Sequence, residues 1–137
     1  MKRIALLLAL FLAACSGEQA PTFQTGAYRM VDSLNNVPTV IRFSEDGKIN
    51  GQVVNLIMGE YKLGKKNSLT ITPSGTTMMM GSPEEMEAEQ NFLQILPHIR
   101  AYKMQGRYLT MITDNGGELL FAPDDTPPAE SSENPKE

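Results

Sequence analysis

The chain of 137 residues contains one cysteine, Cys15, and one histidine, His98. A lone cysteine has no partner for an intrachain disulfide and cannot form a Cys-x-x-Cys redox or zinc motif. A lone histidine cannot supply the several His or Cys ligands that a zinc centre needs. His98 follows Pro97, and nothing in the sequence pairs a serine nucleophile with it, so it reads as a surface or loop residue rather than a catalytic base. Phosphate-binding loops are missing as well: Asp114-Asn115-Gly116-Gly117 has the composition of a hairpin turn, not of a strand-to-helix nest. The longest apolar run, Ile4 to Ala14, is eleven residues, against the ~20 that cross a bilayer as a helix. A basic excess is also lacking. Between Thr22 and Ala122 nine basic side chains face ten acidic ones, and Pro123 to Glu137 holds five acidic residues against Lys136. A near-neutral body with an acidic tail argues against nucleic acid and against electrostatic docking to anionic lipid head groups. No catalytic residue, metal or cofactor is expected.

The first fifteen residues, MKRIALLLALFLAAC, carry the clearest positive signal. Lys2 and Arg3 precede the apolar run, and small residues lead into Cys15, the pattern of a secretory signal. Leu12-Ala13-Ala14-Cys15 resembles the bacterial lipobox, which implies that Cys15 is the lipidation site and the first residue after cleavage of residues 1–14. The expected location is the bacterial cell envelope. Ser16 rather than Asp follows the cysteine, which resembles lipoproteins sent to the outer membrane, facing the periplasm or the cell surface. Removal of the signal leaves 123 residues, enough for one small domain stabilised by an ordinary hydrophobic core.

Residues 15–24 are short and polar and read as a flexible lipid-anchored tether. Residues 25–122 form the domain. Within it, Thr39 to Ser44, Ile49 to Val54, Tyr61 to Leu63, Leu69 to Thr72, Thr76 to Met80, Ile99 to Met104, Arg107 to Thr113 and Glu118 to Ala122 are the strand candidates. Asp46-Gly47, Gly64-Lys65-Lys66-Asn67 and Gln105-Gly106 supply tight turns between them. The fold class is therefore mainly β (α+β), a small antiparallel barrel-like sheet with one packed helix near residues 83–96. Ser82-Pro83-Glu84-Glu85 has the residues of a capping box with proline at the first helical position. Met86, Leu93 and Leu96, flanked by Phe92 and Ile95, are assigned to the face that meets the sheet. Glu84, Glu85, Glu87 and Glu89 are assigned to a solvated face near the helix N-terminus. Residues 123–137 have almost nothing apolar to bury and read as a disordered acidic tail.

Methionine is the one excess, with nine residues. Met78-Met79-Met80 could in principle offer thioethers to Cu(I). On a strand, however, Met78 and Met80 share one face while Met79 points to the other. Met78, Met80 and Met86 are therefore expected to fill the core or line an adaptable apolar groove.

Phe43, Gly47, Gly51, Asn55, Gly59 and Tyr61, followed by Thr76-Thr77-Met78-Met79-Met80, Glu89, Phe92-Leu93 and Leu96, resemble the two signatures of the META domain of HslJ-like bacterial lipoproteins. Tyr102, Gly106, Leu109 and Gly117-Glu118-Leu119-Leu120-Phe121 fit its close. Typical members have Gly-Cys-Asn in the first signature and Met-Ala-Cys in the second. Those cysteine positions fall here on Val54 and at or near Gly81, and both are absent together, as expected if they would otherwise pair. The resemblance implies a compact β domain with one helix and an association with envelope and heat stress, without an enzymatic mechanism. The expected function is a non-enzymatic outer-membrane lipoprotein in envelope maintenance or stress tolerance, bound to the membrane through its N-terminal lipid and to an unknown protein or small apolar ligand. The alternative is a pilot or chaperone that holds an apolar peptide or acyl chain in a cracked-barrel groove.

Overall fold

The computed structural model describes residues 22–126. Eight antiparallel strands follow one another around a closed barrel: β1 (Gly26–Met30), β2 (Val40–Phe43), β3 (Lys48–Gln52), β4 (Leu56–Gly64), β5 (Ser68–Thr76), β6 (Ile99–Gln105), β7 (Tyr108–Thr113) and β8 (Glu118–Pro123). Strand β8 pairs with β1 and completes the ring, with Tyr28 opposite Pro123 and Met30 opposite Phe121. The single helix, α1 (Pro83–Ile95), lies between β5 and β6 in the chain.

Period-two alternation places the core. Ile41 and Phe43, Ile49, Ile57 and Tyr61, Leu69 and Ile71, Leu109 and Met111, and Phe121 point inward and are buried, while their neighbours along each strand face solvent. Two glycines let the sheet curl. Gly47 turns β2 into β3 with φ of +86°, a conformation that costs glycine little. Gly59 faces inward at a register shift in β4, and a Cβ there would lie 2.5 Å from the Thr72 carbonyl oxygen. A second register shift, between Ile99 and Ala101 in β6, changes the inward parity so that both Ile99 and Tyr102 are buried. Such irregularities bend strands where a barrel must close.

The ring has one weak seam. Strands β5 and β6 share a single register pair, Ser68 opposite Ala101. The turn Leu96–His98 that follows α1 packs against β5 there, and Leu69, Leu96 and Ile99 are fully buried. The barrel is thus closed rather than cracked, and side chains occupy the place where an interior groove would open.

Several sequence-based boundaries shift. Thr77 to Met80 is not a strand: β5 ends at Thr76 and the chain leaves the sheet. Strand β1 had no assignment of its own in the sequence. Phe23, placed by sequence in the tether, is buried, stacking edge-on against Phe43 at 5.0 Å and Tyr102 at 5.1 Å between ring centroids. An aromatic side chain among polar residues was the available sign. The acidic tail also begins later than expected. Pro123 belongs to β8, the Asp124 amide donates to the Ala27 carbonyl at 2.8 Å, and Arg107 pairs with Asp125 at 2.8 Å. Residues 1–21, with Cys15 and most of the tether, and residues 127–137 lie outside the described residues. A chain ending at Ala122 should be less stable than one ending at Thr126 by about 1–2 kcal/mol, from the lost strand end and its hydrogen bond. Urea denaturation of the two truncations checks this, and equal midpoints would show that residues 123–126 contribute nothing.

Candidate functional site at the helix-capped end

An antiparallel barrel has two ends, and α1 covers the one that carries the β1–β2, β3–β4, β5–β6 and β7–β8 connections. The helix begins as expected. Ser82 Oγ accepts from the Glu85 amide at 3.2 Å, and Glu85 Oε2 accepts from the Ser82 amide at 2.8 Å. Its buried face differs from the expected one. Ala88, Glu89, Phe92 and Leu96 are buried, whereas Met86 and Leu93 are half-buried. Phe92 sits over Gly51, where its ring would come within 3.6 Å of an added Cβ. A Cβ at 51 would make ordinary contact with the ring, and a longer side chain would press on it.

Glu89 is the main departure. It belongs to the core and not to the solvated acidic face. Its Oε2 accepts from the Val54 amide at 2.9 Å and the Asn55 amide at 2.6 Å, and its Oε1 accepts from Asn55 Nδ2 at 2.7 Å. Three donors on one carboxylate give a buried charge the partners it requires. Asn55 passes the connection onward: its Nδ2 donates to the Met79 carbonyl at 3.1 Å, and its Oδ1 accepts from the Met79 amide and the Thr77 hydroxyl. The Asn55 amide group therefore pairs with Met79 much as a neighbouring strand would. Among the described residues every buried side-chain nitrogen and oxygen has a hydrogen-bond partner. The sequence did contain a sign of this role, since Glu89 stands three residues before Phe92 and seven before Leu96 on one stripe.

This network fixes the methionine segment outside the core. Met78 is 96% exposed, Met80 90% and Met79 62%, with half-exposed Leu56 beside them and hydrogen bonded to Thr77. The expectation that Met78 and Met80 fill the core is overturned, because the chain has left the strand and Asn55 holds its backbone instead. Met86 is half-buried rather than in the core; its sulfur accepts the Gly81 amide at 3.3 Å and braces the turn into α1. Among the described residues no cluster of three His, Cys, Asp or Glu side chains could hold a metal ion.

Beside the end of α1 lies an open cleft of about 380 Å³, lined by Asn91, Gln94, Ile95, His98, Thr113 and Asp114 with Asn115. His98 Nδ1 lies 2.9 Å from Asp114 Oδ2, and the Asp114 amide donates to the His98 carbonyl at 2.8 Å. Sequence reading left His98 unpartnered; the pairing depends on the β7–β8 turn returning to the helix, which no local pattern reveals. The hydrogen bond from His98 holds the Asp114 carboxyl below the usual carboxylate range, with further help from Arg100. The one hydroxyl on the cleft wall, Thr113 Oγ1, is engaged by Asn115 and Gly117 within the turn. The arrangement can bind polar groups, and it offers no activated nucleophile among its lining residues.

The fold is that of an eight-stranded antiparallel barrel capped by one helix. The chain belongs to the META domain family, whose model matches residues 12–126. A DUF4847 family protein from Bacteroides vulgatus has a similar fold, with a TM-score of 0.60 at 16% identity over 77% of this chain and 96% of that one. A protein from Burkholderia xenovorans is similar at a TM-score of 0.62 and 21% identity, over 75% of this chain and 84% of that one. No curated protein matches the sequence. Two residues that carry the family resemblance, Asn55 and Glu89, are the two hydrogen bonded to each other. The two positions where typical members carry cysteine also meet: a Cβ built on Gly81 lies 3.0 Å from Val54 Cγ2.

Three outcomes follow from this geometry. Glu89→Gln keeps one acceptor oxygen but sets an amide NH2 against donors, so it should cost about 1–3 kcal/mol in urea denaturation; an unchanged midpoint would refute the role assigned to the carboxylate. Val54→Cys with Gly81→Cys should oxidise to a disulfide worth about 2–4 kcal/mol, less about 1 kcal/mol as Glu85 Oε2 gives up the Ser82 amide; a peptide map that shows residues 54 and 81 unlinked after oxidative refolding would contradict the contact. In an NMR pH titration, Asp114 should titrate below an ordinary carboxylate, and His98→Ala should move it back up. A depressed carboxylate favours the folded state above its unfolded value, and that contribution disappears as pH falls through the folded one.

Proposed function

We propose that this protein is a non-enzymatic, lipid-anchored envelope protein that binds an apolar partner through the Met78–Met80 ledge at its helix-capped end. The carrying observation is the exposure of three consecutive methionines on a backbone that Asn55 and Glu89 hold in place. Apolar side chains left in water on a fixed support are characteristic of interaction surfaces, and methionine adapts to varied apolar partners. The filled barrel supports an external binding surface over an interior one. The cleft beside His98 would contribute polar contacts at the rim of the same end. Anchoring through acylated Cys15 at the outer membrane, and a role in envelope maintenance or stress tolerance, accord with the lipobox and with the family resemblance.

The test combines both halves. Cys15→Ser should leave the chain uncleaved or release it from membrane fractions, because acyl chains supply ~0.8 kcal/mol per buried methylene. In intact cells, a photo-crosslinker at Met79 should capture a discrete partner in the anchored protein, and Met78→Ser with Met80→Ser should abolish the capture. Because these side chains are exposed, the double variant should keep its stability within about 0.5 kcal/mol. Normal processing and tight membrane association of Cys15→Ser would refute the anchor. Capture unaffected by the two serines would refute the ledge.

A further inference from the structure

The chain has no tryptophan, and its one cysteine is Cys15, so thioethers are the most readily oxidised side chains of the barrel. They are not equally open to attack. Met104 and Met111 are buried inside the barrel. Met86 is half-buried, and its sulfur already accepts the Gly81 amide. Met30 packs against the core, and Met58 is half-exposed on the outer face of β4. Met78, Met79 and Met80 stand apart as three consecutive thioethers in solvent.

The support of this ledge does not involve sulfur. The Asn55 side chain holds the Met79 amide and carbonyl, and Thr77 is bonded to Leu56 and Asn55. Conversion of a thioether to a sulfoxide replaces a flexible apolar side chain by a polar, chiral one with an acceptor oxygen. In water that oxygen is solvated. Beneath an apolar partner it has no donor, and its burial is costly. Oxidation at Met78 and Met80 therefore acts on binding and not on folding, whereas the same change at Met104 or Met111 would disrupt the packed core.

We propose that the Met78–Met80 ledge is an oxidation site, at which a two-electron oxidant such as hypochlorous acid converts the exposed thioethers to sulfoxides and releases the apolar partner from an intact barrel. This deepens the partner-binding reading and rests on it. In each step the sulfur lone pair takes the oxygen of hypochlorous acid: an S–O bond forms, the O–Cl bond breaks, and chloride and a proton leave. Sulfur gives up two electrons and chlorine receives them.

The experiment uses the purified full chain carrying a photo-crosslinker at Met79. It is treated with limiting hypochlorous acid and freed of oxidant before it meets membranes of untreated cells that lack the protein. Peptide mapping should show Met78 and Met80 converted about tenfold faster than Met104 and Met111, with the thermal unfolding midpoint unchanged. Capture of the partner that the unoxidised chain crosslinks in intact cells should fall at least about tenfold. Methionine sulfoxide reductases with a dithiol, which becomes a disulfide as the oxygen leaves in water, should restore capture. In Met78→Leu with Met80→Leu, capture should not respond to the oxidant. Equal conversion of exposed and buried methionines, a lowered unfolding midpoint at the dose that abolishes capture, capture that survives conversion of Met78 and Met80, loss that reduction does not reverse, or a leucine variant as sensitive as the parent overturns the inference and leaves the ledge standing. Failure of the unoxidised chain to capture a discrete partner overturns the ledge reading and this inference with it.

Discussion

The helix-capped end of the molecule depends on one buried carboxylate. Glu89 projects from α1 into the β3–β4 connection, where two consecutive backbone amides would otherwise have no acceptor and Asn55 Nδ2 would keep only the Met79 carbonyl. Burying a charge is costly in itself. Here the cost is offset because those three bonds tie the helix to the β3–β4 turn, and further bonds of Asn55 to Thr77 and Met79 add the segment leaving β5 to the same unit. Removal of the carboxylate would leave donors unpaired at a place that water does not readily reach, which is more damaging than the loss of an ordinary hydrogen bond.

The rest of the capped end follows from that tie. Phe92 can lie over Gly51 because α1 is held at the correct height, and Leu96 then fills the seam between β5 and β6. Asn35 supports the helix from the β1–β2 connection by donating to the Glu84 carbonyl and to Glu87 Oε2. The opposite end is closed differently, by Phe23 and a ring of aromatic side chains. One end is therefore polar-clipped and carries an exposed apolar ledge, and the other is aromatic-plugged. Such a division makes the two ends of a small barrel chemically different without a second domain.

Much of this was legible in the sequence because it is local. Alternation in Val40–Phe43 and Lys48–Gln52, the Asp46-Gly47 turn and the Ser82-Pro83-Glu84-Glu85 start each encode their own geometry. Errors arose where tertiary contacts override local pattern. Thr76 to Met80 has strand-like composition, yet Asn55 substitutes for the missing neighbour and the methionines turn outward. Phe23 looked like part of a linker because its aromatic partners are distant in sequence. Glu89 looked like one of four solvated glutamates because charge composition does not show which face of a helix is buried. His98 and Asp114 come together only through the return of the β7–β8 turn.

Amide hydrogen exchange on the native protein tests the central role of Glu89 most directly. If its carboxylate welds the helix to the barrel, the amides of Val54, Asn55 and Met79 should exchange as slowly as those of the barrel strands, and Glu89→Gln should accelerate these three selectively. Exchange at Val54 and Asn55 already as fast as in the exposed β7–β8 turn, or unchanged by the substitution, would show that the carboxylate does not hold this end together.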